Sequence, residues 1–461
     1  MRNLHYEKFA DGSVKCIEDD IPFELPKGWA WERLSNLATF SGGKTPSTSR
    51  REYWDGEVLW VTSKDMKSKY ITSSQLRLSV LGAEQMQIYQ PDTLLLVTRS
   101  GILRHTLPIA ILKECATVNQ DLKAIVLYMP ELAEYVYVCL KGMESQLLLK
   151  YTKSGTTVEN VNFDEFQKVL LPIAPFQEIR KIIEATSEAT IVVSSIEDEK
   201  AAMAEYIVKA KAKILDLAIR GQLVSQDPTD EPASVLLEQI RAEKEELVQQ
   251  GKIKRDKKES VIFRGEDNSY YEKIGNKIEN IDDEIPFELP DGWMWCRGQS
   301  CFEGMESTKP QGEFFDYIDI DAIDNRLHRI KAAKHLPVSE APSRASRAVK
   351  NGSVLFSLVR PYLENIALVE ETHSCCIAST GFYVCNSNGI LLPEFMFFLM
   401  ISGYVVNGLN QYMKGDNSPS ISKDNIESWL YPVPPLSEQK TICAKLKTVF
   451  TLIQNVEKSL S

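Results

Sequence analysis

A fold for this chain must accommodate one eleven-residue frame twice. Ile21-Pro22-Phe23-Glu24-Leu25-Pro26-Lys27-Gly28-Trp29-Ala30-Trp31 returns as Ile285-Pro286-Phe287-Glu288-Leu289-Pro290-Asp291-Gly292-Trp293-Met294-Trp295, an offset of 264. Upstream, Tyr6-Glu7-Lys8 matches Tyr271-Glu272-Lys273, and an acidic lead-in, Glu18-Asp19-Asp20 or Asp282-Asp283-Glu284, enters each copy. Downstream, Leu170-Leu171-Pro172-Ile173-Ala174-Pro175 matches Leu430-Tyr431-Pro432-Val433-Pro434-Pro435 at an offset of 260. Self-similarity on a long period is read before local propensity, because it sets the architecture that every other element must fit. Two homologous units therefore follow one another, and their interiors diverge. Duplication that merely enlarges a scaffold would leave such a trace. Near-identical frames around interiors that share only a pattern better suit a protein that reads two different things with one geometry.

After Pro175 no Pro or Gly interrupts the chain until Gly221, which predicts one long helix closed by a glycine cap. A heptad track runs through Ile179, Ile182, Thr186, Ala189, Val193, Ile196, Lys200, Met203, Ile207, Ala210, Ile214 and Leu217, with weak layers at Thr186 and Lys200. The C-terminal segment repeats it at Gln439, Ile442, Leu446, Val449, Ile453, Val456 and Leu460, each 260 beyond its counterpart. Equivalent helices related by a pseudo-dyad would pair antiparallel, and the first would form a rod ~65 Å long. The expected seam sets Ile179, Ile182, Val193, Ile196, Ile207 and Ile214 against Ile442, Val449, Ile453 and Val456. A further helix is expected between Pro232 and Gly251, and the tract from Lys252 to Lys258 reads as a solvated linker.

The chain has 461 residues, 43% hydrophobic and 25% charged, enough for several globular cores, and this excludes disordered and small disulfide-scaffold classes. A net charge of −11 argues against a polycation that simply coats nucleic acid, although a local basic face is compatible with it. Nine Cys without framework spacing, the lack of an apolar run in the opening residues, and apolar stretches far shorter than the ~20 residues of a membrane span predict a cytoplasmic protein without membrane contact.

The interiors, about 27–172 and 291–432, are strand-rich and punctuated by Gly and Pro. Residues 58–62, 92–98, 109–112, 353–358 and 366–369 read as strands. Residues 26–155 hold 16 basic against 12 acidic residues and 290–430 hold 12 against 16, so charge alone favours the first interior as a polyanion binder. Between the strands lie polar loops whose backbone N–H groups, hydroxyls and guanidinium forks suit phosphates and guanine edges. In the first interior the candidates are Lys44, Thr45, Arg50 and Arg51 in one loop, Arg99 and Arg104 in a second, and Thr156 and Thr157 in a third. In the second they are Lys309, Arg360 with Tyr362, and Lys414 with Asn417. Any one of these loops alone reads as a turn; their recurrence at matched places is what singles them out.

Catalytic signatures are scarce. The sequence has no Walker A motif, no GxGxxG and no Asn-Pro-Pro-aromatic tetrapeptide of an amino-methyltransferase. Pro91-Asp92 with Asp121-Leu122-Lys123 could be forced into a metal-dependent nuclease pattern, but the first pair equally suits a turn before a buried strand. Cys375, Cys376 and Cys385 lack the paired spacing of structural zinc sites and read as buried thiols. We therefore expect no catalytic residue, no bound metal and no cofactor in this chain.

With the repeat and the rods in hand, the sequence resembles the specificity subunit of type I restriction–modification systems. The resemblance rests on Leu25-Pro26-x-Gly28-Trp29 and its copy, Gly43-x-Thr45-Pro46 with Tyr53-Trp54 and Trp60-Val61, the Pro-rich entry to Glu178, Pro434-Pro435-x-x-Glu438-Gln439, and the run from Asp227 to Lys258. It departs from the family at Ala174-Pro175-Phe176-Gln177-Glu178-Ile179, and in a C-terminal helix shorter than its central counterpart. The resemblance implies an α+β fold: two mixed α/β target-recognition domains separated by long antiparallel coiled-coil helices, a pseudo-twofold internal repeat. Its expected parts are a first recognition domain at 1–175, a central helical spacer at 176–265, a second recognition domain at 266–435 and a conserved helix at 436–461. It further implies a DNA-binding subunit that reads a bipartite target in double-stranded DNA and works with two modification (methyltransferase) subunits and with restriction subunits. S-adenosylmethionine, ATP and Mg would then be needed only in those partners. A methyltransferase or nuclease with its own fused recognition domains is the opposing class, and a coiled-coil adaptor binding only proteins is a third.

Overall fold

The computed structural model describes residues 4–153, 159–252 and 259–460. The chain divides into two compact units, Met1–Glu197 and Asp198–Ser461, and the 44-residue helix Phe176–Ile219 contributes to both.

In the first unit a five-stranded sheet runs in the order Ala38–Gly42, Leu122–Leu127, Leu94–Val97, Ile109–Leu112, Tyr70–Ile71. Its first four strands are antiparallel neighbours, and the last lies parallel to Ile109–Leu112. Beside it Ala116–Val118 pairs parallel with Trp54–Val61, which pairs antiparallel with Leu76–Leu78. Leu94 to Val97 and Ile109 to Leu112 are continuous apolar runs because both faces of the sheet are covered. Alternate residues divide accordingly: Leu94 and Leu96 enter one core with Tyr135 and Val136 of the helix Ala133–Gly142, while Leu95 and Val97 enter another with Leu59 and Val118.

The second unit repeats the centre of this topology with other residues, in sheets of three and four strands rather than five and three. Val354–Ser357 lies between Ile366–Leu368 and Phe382–Cys385, all antiparallel. Ile377–Ser379 runs parallel to Phe314–Ile318, itself antiparallel to Lys334–Pro337. Val354 and Phe356 face one core and Leu355 another, the same division as in the first unit. The interiors thus share more than a pattern: their three central strands and the parallel pair beside them share order and direction.

The repeated frame explains the repeated sequence. Ala30–Arg33 pairs with Leu170–Ile173, putting Trp31 opposite Pro172; Met294–Arg297 pairs with Leu430–Val433, putting Trp295 opposite Pro432. Phe23 meets Trp31 edge-on with centroids 5.0 Å apart, as Phe287 meets Trp295 at 5.0 Å. Arg33 grips Glu7 through two hydrogen bonds of 2.7 and 2.6 Å, and Arg297 grips Glu272 at 3.1 and 2.7 Å. Trp29 Nε1 donates to Glu178 at 2.9 Å, and Trp293 Nε1 donates to Glu438 at 2.8 Å. Gly28 and Gly292 turn each copy at φ +92° and +82°, left-handed backbone that strains any residue with a Cβ.

The helices run as the heptad track predicts, but the burial of that track requires a correction. Ile179 is buried in the first unit's core, and Ile182 packs beside it. Ile207 is buried, while Ile214 packs on the second unit's core, where Ile442 is wholly buried. Val449 and Ile453 are half-buried. Val193, Ile196 and Val456, expected in an apolar seam, are instead 55%, 59% and 45% exposed. Heptad spacing marks which face of a helix is apolar and does not itself supply a partner. Within the second unit the helix Leu436–Leu460 meets the long helix where Lys211 pairs with Glu457 at 2.8 Å and in the core that Ile214 shares with Ile442. The linker helix spans Ala233–Gln249, near its expected bounds, whereas 253–258 of the basic tract lie outside the described residues.

Candidate nucleic-acid interface

Three loops singled out in the first interior leave the same end of the five-stranded sheet. Gly42 ends its strand opposite Lys123, and Val97 ends its strand opposite Leu122, so the loops after Gly42 and after Val97 start side by side. Arg99 then pairs with Asn160, and Asn160 with Lys153, which brings both flanks of the third loop to the same edge. Thr156 and Thr157 lie outside the described residues.

The root of the first loop is pinned by backbone contacts. Lys44 N–H donates to the Val118 carbonyl at 3.2 Å, and the Lys44 carbonyl accepts from Trp60 Nε1 at 3.3 Å. A Cβ on Gly43 would fall 1.9 Å from the Val118 carbonyl oxygen, so this close approach admits only glycine. The Lys44 side chain projects outward, and Thr45 Oγ1 donates to Gln120 Oε1 at 2.6 Å. Farther along, Arg50 donates to Tyr53 Oη at 2.8 Å and lies over its ring, and Arg51 is exposed beside it. Arg99 is exposed, and among the described residues its guanidinium has no ion-pair partner. Arg104 differs: its Nε donates to Glu159, a buried carboxylate whose other oxygen has no protein partner among the described residues. Arg104 is therefore held in place by its own unit, while Arg99 and Lys44 are exposed.

The second unit presents its counterpart loop at the matching sheet end, where Ser357 pairs with Phe382 and Leu358 N–H donates to Gly381. Val359 bridges to Ser420, the Arg360 N–H donates to the Pro419 carbonyl at 2.7 Å, and Arg360 Nη2 donates to the Asn417 carbonyl at 3.0 Å. Lys414 and Ser420 close the neighbouring hairpin. Arg360, Tyr362, Lys414 and Asn417 are thus brought together, with Asn417 acting on Arg360 through its backbone. Arg360 and Glu364 both hold left-handed backbone, φ 48° and 54°, and bracket the exposed Tyr362. Such geometry costs on the order of 1 kcal/mol per residue and persists where the surroundings over-determine it. Lys309 stands apart, on the rim of a 480 Å³ concavity shared with Phe314 and Cys375.

Two sets of residues escaped the sequence reading. Gln120, exposed at the tip between two buried strands, offers an amide beside Thr45; its place after Asn119 and before Asp121 is a turn signal that could have marked it. In the second unit the hairpin between Ile323–Asp324 and Arg329–Ile330 exposes Arg326 and Arg329 and is tied to the Tyr362 loop by Asn325, which donates to the Leu363 carbonyl at 2.8 Å. Asp92 and Asp121, the forced nuclease pair, fall at opposite ends of Leu94–Val97, and Asp92 pairs with Lys113 at 3.0 Å. Burial pushes the Cys376 thiol up to about 11 and raises that of Cys385, while Cys375 is exposed. Among the described residues no cluster of His, Cys, Asp and Glu could hold a metal ion, and no helix is long and apolar enough to cross a membrane.

Comparison with known proteins adds an independent finding. The family profile described as the type I restriction modification DNA specificity domain matches residues 26–201 and 339–461. The type I restriction enzyme EcoAI specificity subunit of Escherichia coli is 29% identical over 54% of this chain and 40% of its own length. The EcoEI specificity subunit of the same organism is 23% identical over 97% of this chain and 82% of its own. Among solved structures, the HsdS subunit from Thermoanaerobacter tengcongensis is 36% identical over 38% of this chain and 46% of that one, with a TM-score of 0.36.

Proposed function

The chain belongs to the type I restriction modification DNA specificity family, and on that premise we propose that it reads a bipartite sequence in double-stranded DNA and directs adenine methylation and cleavage carried out by partner subunits. In this reading 1–175 and 266–435 are target-recognition domains, each taking one half-site, and 176–265 with 436–461 form the spacer. The observation that carries the proposal is the repeated topology. Two units with one strand order put chemically different loops at the same end of the same sheet, as a protein needs when it reads two sequences in one way.

Exposed Lys44 and Lys414 would hold phosphates and set register, while Arg99 and Arg360 would offer forks to base edges in the major groove. Arg50, Arg51, Tyr362 and Lys309 would contribute from the flanks. Antiparallel pairing of the two long helices is part of the proposal, supported by the ion pair between Lys211 and Glu457 and by the core that Ile214 shares with Ile442. A stiff spacer fixes the half-site separation, about one helical turn or ~34 Å for readers on one face of the duplex. The exposed apolar residues Ile191, Val192, Val193 and Ile196 would then be covered by two modification subunits. The chain itself would catalyse nothing, and S-adenosylmethionine, ATP and magnesium would be used by the modification and restriction subunits in the cytoplasm.

Methylome sequencing of cells carrying this chain with its methyltransferase should return two short half-sites around a fixed spacer, and the purified complex should hold one copy of this chain and two methyltransferases. A single contiguous motif, or methyl transfer to DNA by the chain alone, would refute the proposal.

A further inference from the structure

In both units the loop that follows the first strand of the parallel pair starts at the same sheet end as the candidate contacts. In the first unit Val61 ends Trp54–Val61 beside Val118. The Asn119 N–H donates to the Val61 carbonyl at 3.0 Å, and the Val118 carbonyl accepts from Lys44. In the second unit Ile318 ends Phe314–Ile318 beside Ala378. Two residues on, Ile320 lies so close to Gly381 that a Cβ there would fall 2.8 Å from its Cδ1, and the Gly381 carbonyl accepts from Leu358 at the root of the Arg360 loop. Residues 62–69 and 319–331 are therefore equivalent excursions, each starting beside a loop already placed at the interface.

The two excursions are built differently. In the first, Asp65 accepts from the Thr62 N–H, the Thr62 hydroxyl and the Gln75 N–H at 2.8 Å each, and Met66 packs on the core. That tight turn leaves Lys64 and Lys67 exposed and, among the described residues, without an ion-pair partner, whereas Lys69 is held by Glu134 at 2.7 Å. In the second, the chain makes a two-stranded ribbon, Ile323–Asp324 against Arg329–Ile330. Ile323 and Ile330 seat it in the core at 3% and 8% exposure. Asp324 caps the tip by accepting from the N–H groups of Arg326 and Leu327 at 3.1 Å each. His328 closes it in left-handed backbone, φ 49°, which a residue other than glycine keeps only where its surroundings dictate it. Packing thus consumes the isoleucines and leaves Arg326, Leu327 and Arg329 outside, on a tip that the Asn325 bond ties to the Tyr362 loop.

We propose that this ribbon is a further reading element, entering the major groove of the second unit's half-site beside Arg360, with Arg326 against a base edge and Arg329 against the phosphate backbone. The matching loop of the first unit contacts phosphates alone, through Lys64 and Lys67. A groove about 12 Å wide admits a two-stranded ribbon. A guanidinium is a planar fork that pairs with guanine O6 and N7 when its backbone is fixed, whereas an ammonium on a flexible stem is a point charge suited to phosphate. The second half-site is accordingly read over more positions than Arg360 and Tyr362 alone would cover. The inference rests on the DNA-reading proposal and adds to it residues that carry specificity in one unit only.

The test uses the full chain assembled with its methyltransferase, and duplexes carrying the motif that methylome sequencing returns, each with one base pair changed. Arg326→Ala should lower discrimination at one base pair by at least ~tenfold, in the half-site where Arg360→Ala also acts, and leave the other half-site untouched. Arg326→Lys keeps the charge and should restore overall affinity without that discrimination, a split that a folding defect would not produce. Lys64→Ala with Lys67→Ala should weaken binding to every duplex alike, and the slope of log affinity against log salt should fall by about two with the motif unchanged. Wild-type discrimination at every position in Arg326→Ala, its full restoration by lysine, or a loss in the other half-site would overturn the ribbon's role while the split motif stands. So would an Arg326→Ala chain that reads DNA normally but no longer holds the methyltransferase, the result expected if the ribbon docks protein instead. A wild-type complex without a split motif would overturn the DNA-reading proposal and this inference together.

Discussion

Replacing Glu438 with alanine should destabilise the second unit far more than the same change at Glu178 destabilises the first, although the two residues hold the same place in the repeat. Glu438 is 3% exposed and accepts from Trp293 Nε1 at 2.8 Å and from Gln226 Nε2 at 2.8 Å; Trp293 is itself buried. Truncation leaves the indole N–H without its acceptor in a dry site and removes one partner of Gln226. An abandoned buried donor costs about 1–3 kcal/mol, and loss of the packed side chain adds to it, so ~2–5 kcal/mol is expected. Glu178 makes the matching bond to Trp29, but both groups reach solvent and water can replace the carboxylate. Urea titration of the full chain, with tryptophan fluorescence and amide exchange followed separately for 4–153 and 259–460, reads the two effects. Equal losses from the two substitutions would refute the argument that burial, rather than the hydrogen bond as such, sets the cost.

Two buried carboxylates of the second unit, Glu438 and Glu272, predict opposite responses to pH. Burial raises the Glu438 pKa above 4.5, partly offset by its bonds from Trp293 and Gln226, so its contribution to stability is full below that value and is lost as pH rises through the folded pKa. Glu438→Gln should flatten that decline, and unchanged pH dependence would exclude it. Burial also opposes the charge of Glu272, but the Arg297 fork holds its pKa below 4.5; its contribution is present above that value and lost as pH falls, and Glu272→Gln should flatten the acid limb of the unfolding profile. Gly43→Ala should disable one half-site while leaving the other intact, because the new Cβ would strike the Val118 carbonyl at the loop root; methylome sequencing reads this, and an unchanged motif contradicts it. Arg99→Ala should relax one base position at a cost of about 1–3 kcal/mol in complex binding to DNA, whereas Lys44→Ala should weaken all sequences alike and reduce the salt slope by about one. Altered preference in both half-sites from Arg99→Ala would contradict its assignment to one unit. Val193→Asp with Ile196→Asp should leave the melting temperature of the chain nearly unchanged, since both positions are exposed, yet abolish co-purification with the methyltransferase.

The sequence made the frame legible because each of its residues has one job that only a few side chains can do. Trp29 and Trp293 need an acceptor across the unit, Glu7 and Glu272 an arginine fork, Gly28 and Gly292 left-handed backbone. Those requirements survived duplication as identities at offsets of 264 and 265. The strands of the interiors were legible for a weaker reason, as apolar runs bounded by turns. Their shared order was not, because a core face asks only for hydrophobicity and volume: Leu94 and Leu96 become Val354 and Phe356 without changing the sheet. The heptad track gave the phase of the long helix and misled about burial at Val193 and Ile196, because periodicity records which face is apolar and not what covers it.

The candidate interface was half legible for a related reason. Arg99 and Arg104 are five residues apart in one loop and look alike in sequence, yet Glu159, 55 residues farther along, captures the second and leaves the first exposed. No local pattern encodes that difference; it arises when Arg99 pairs with Asn160 across the sheet edge and brings Glu159 beside the loop. Arg326 and Arg329 were missed in the same way, since their hairpin gains meaning only through the bond from Asn325 to the backbone next to Tyr362. Whether a basic loop residue is a structural tie or a free contact is decided by long-range pairing, and here that pairing nominates Arg99 with Lys44 in one unit and Arg360 with Lys414 in the other. The distinction can be measured: Arg104→Ala should lower the stability of the first unit, by removing the partner of a buried carboxylate, and Arg99→Ala should not. Equal stability of the two variants in urea, with equal loss of DNA selectivity, would place Arg104 among the contacts after all.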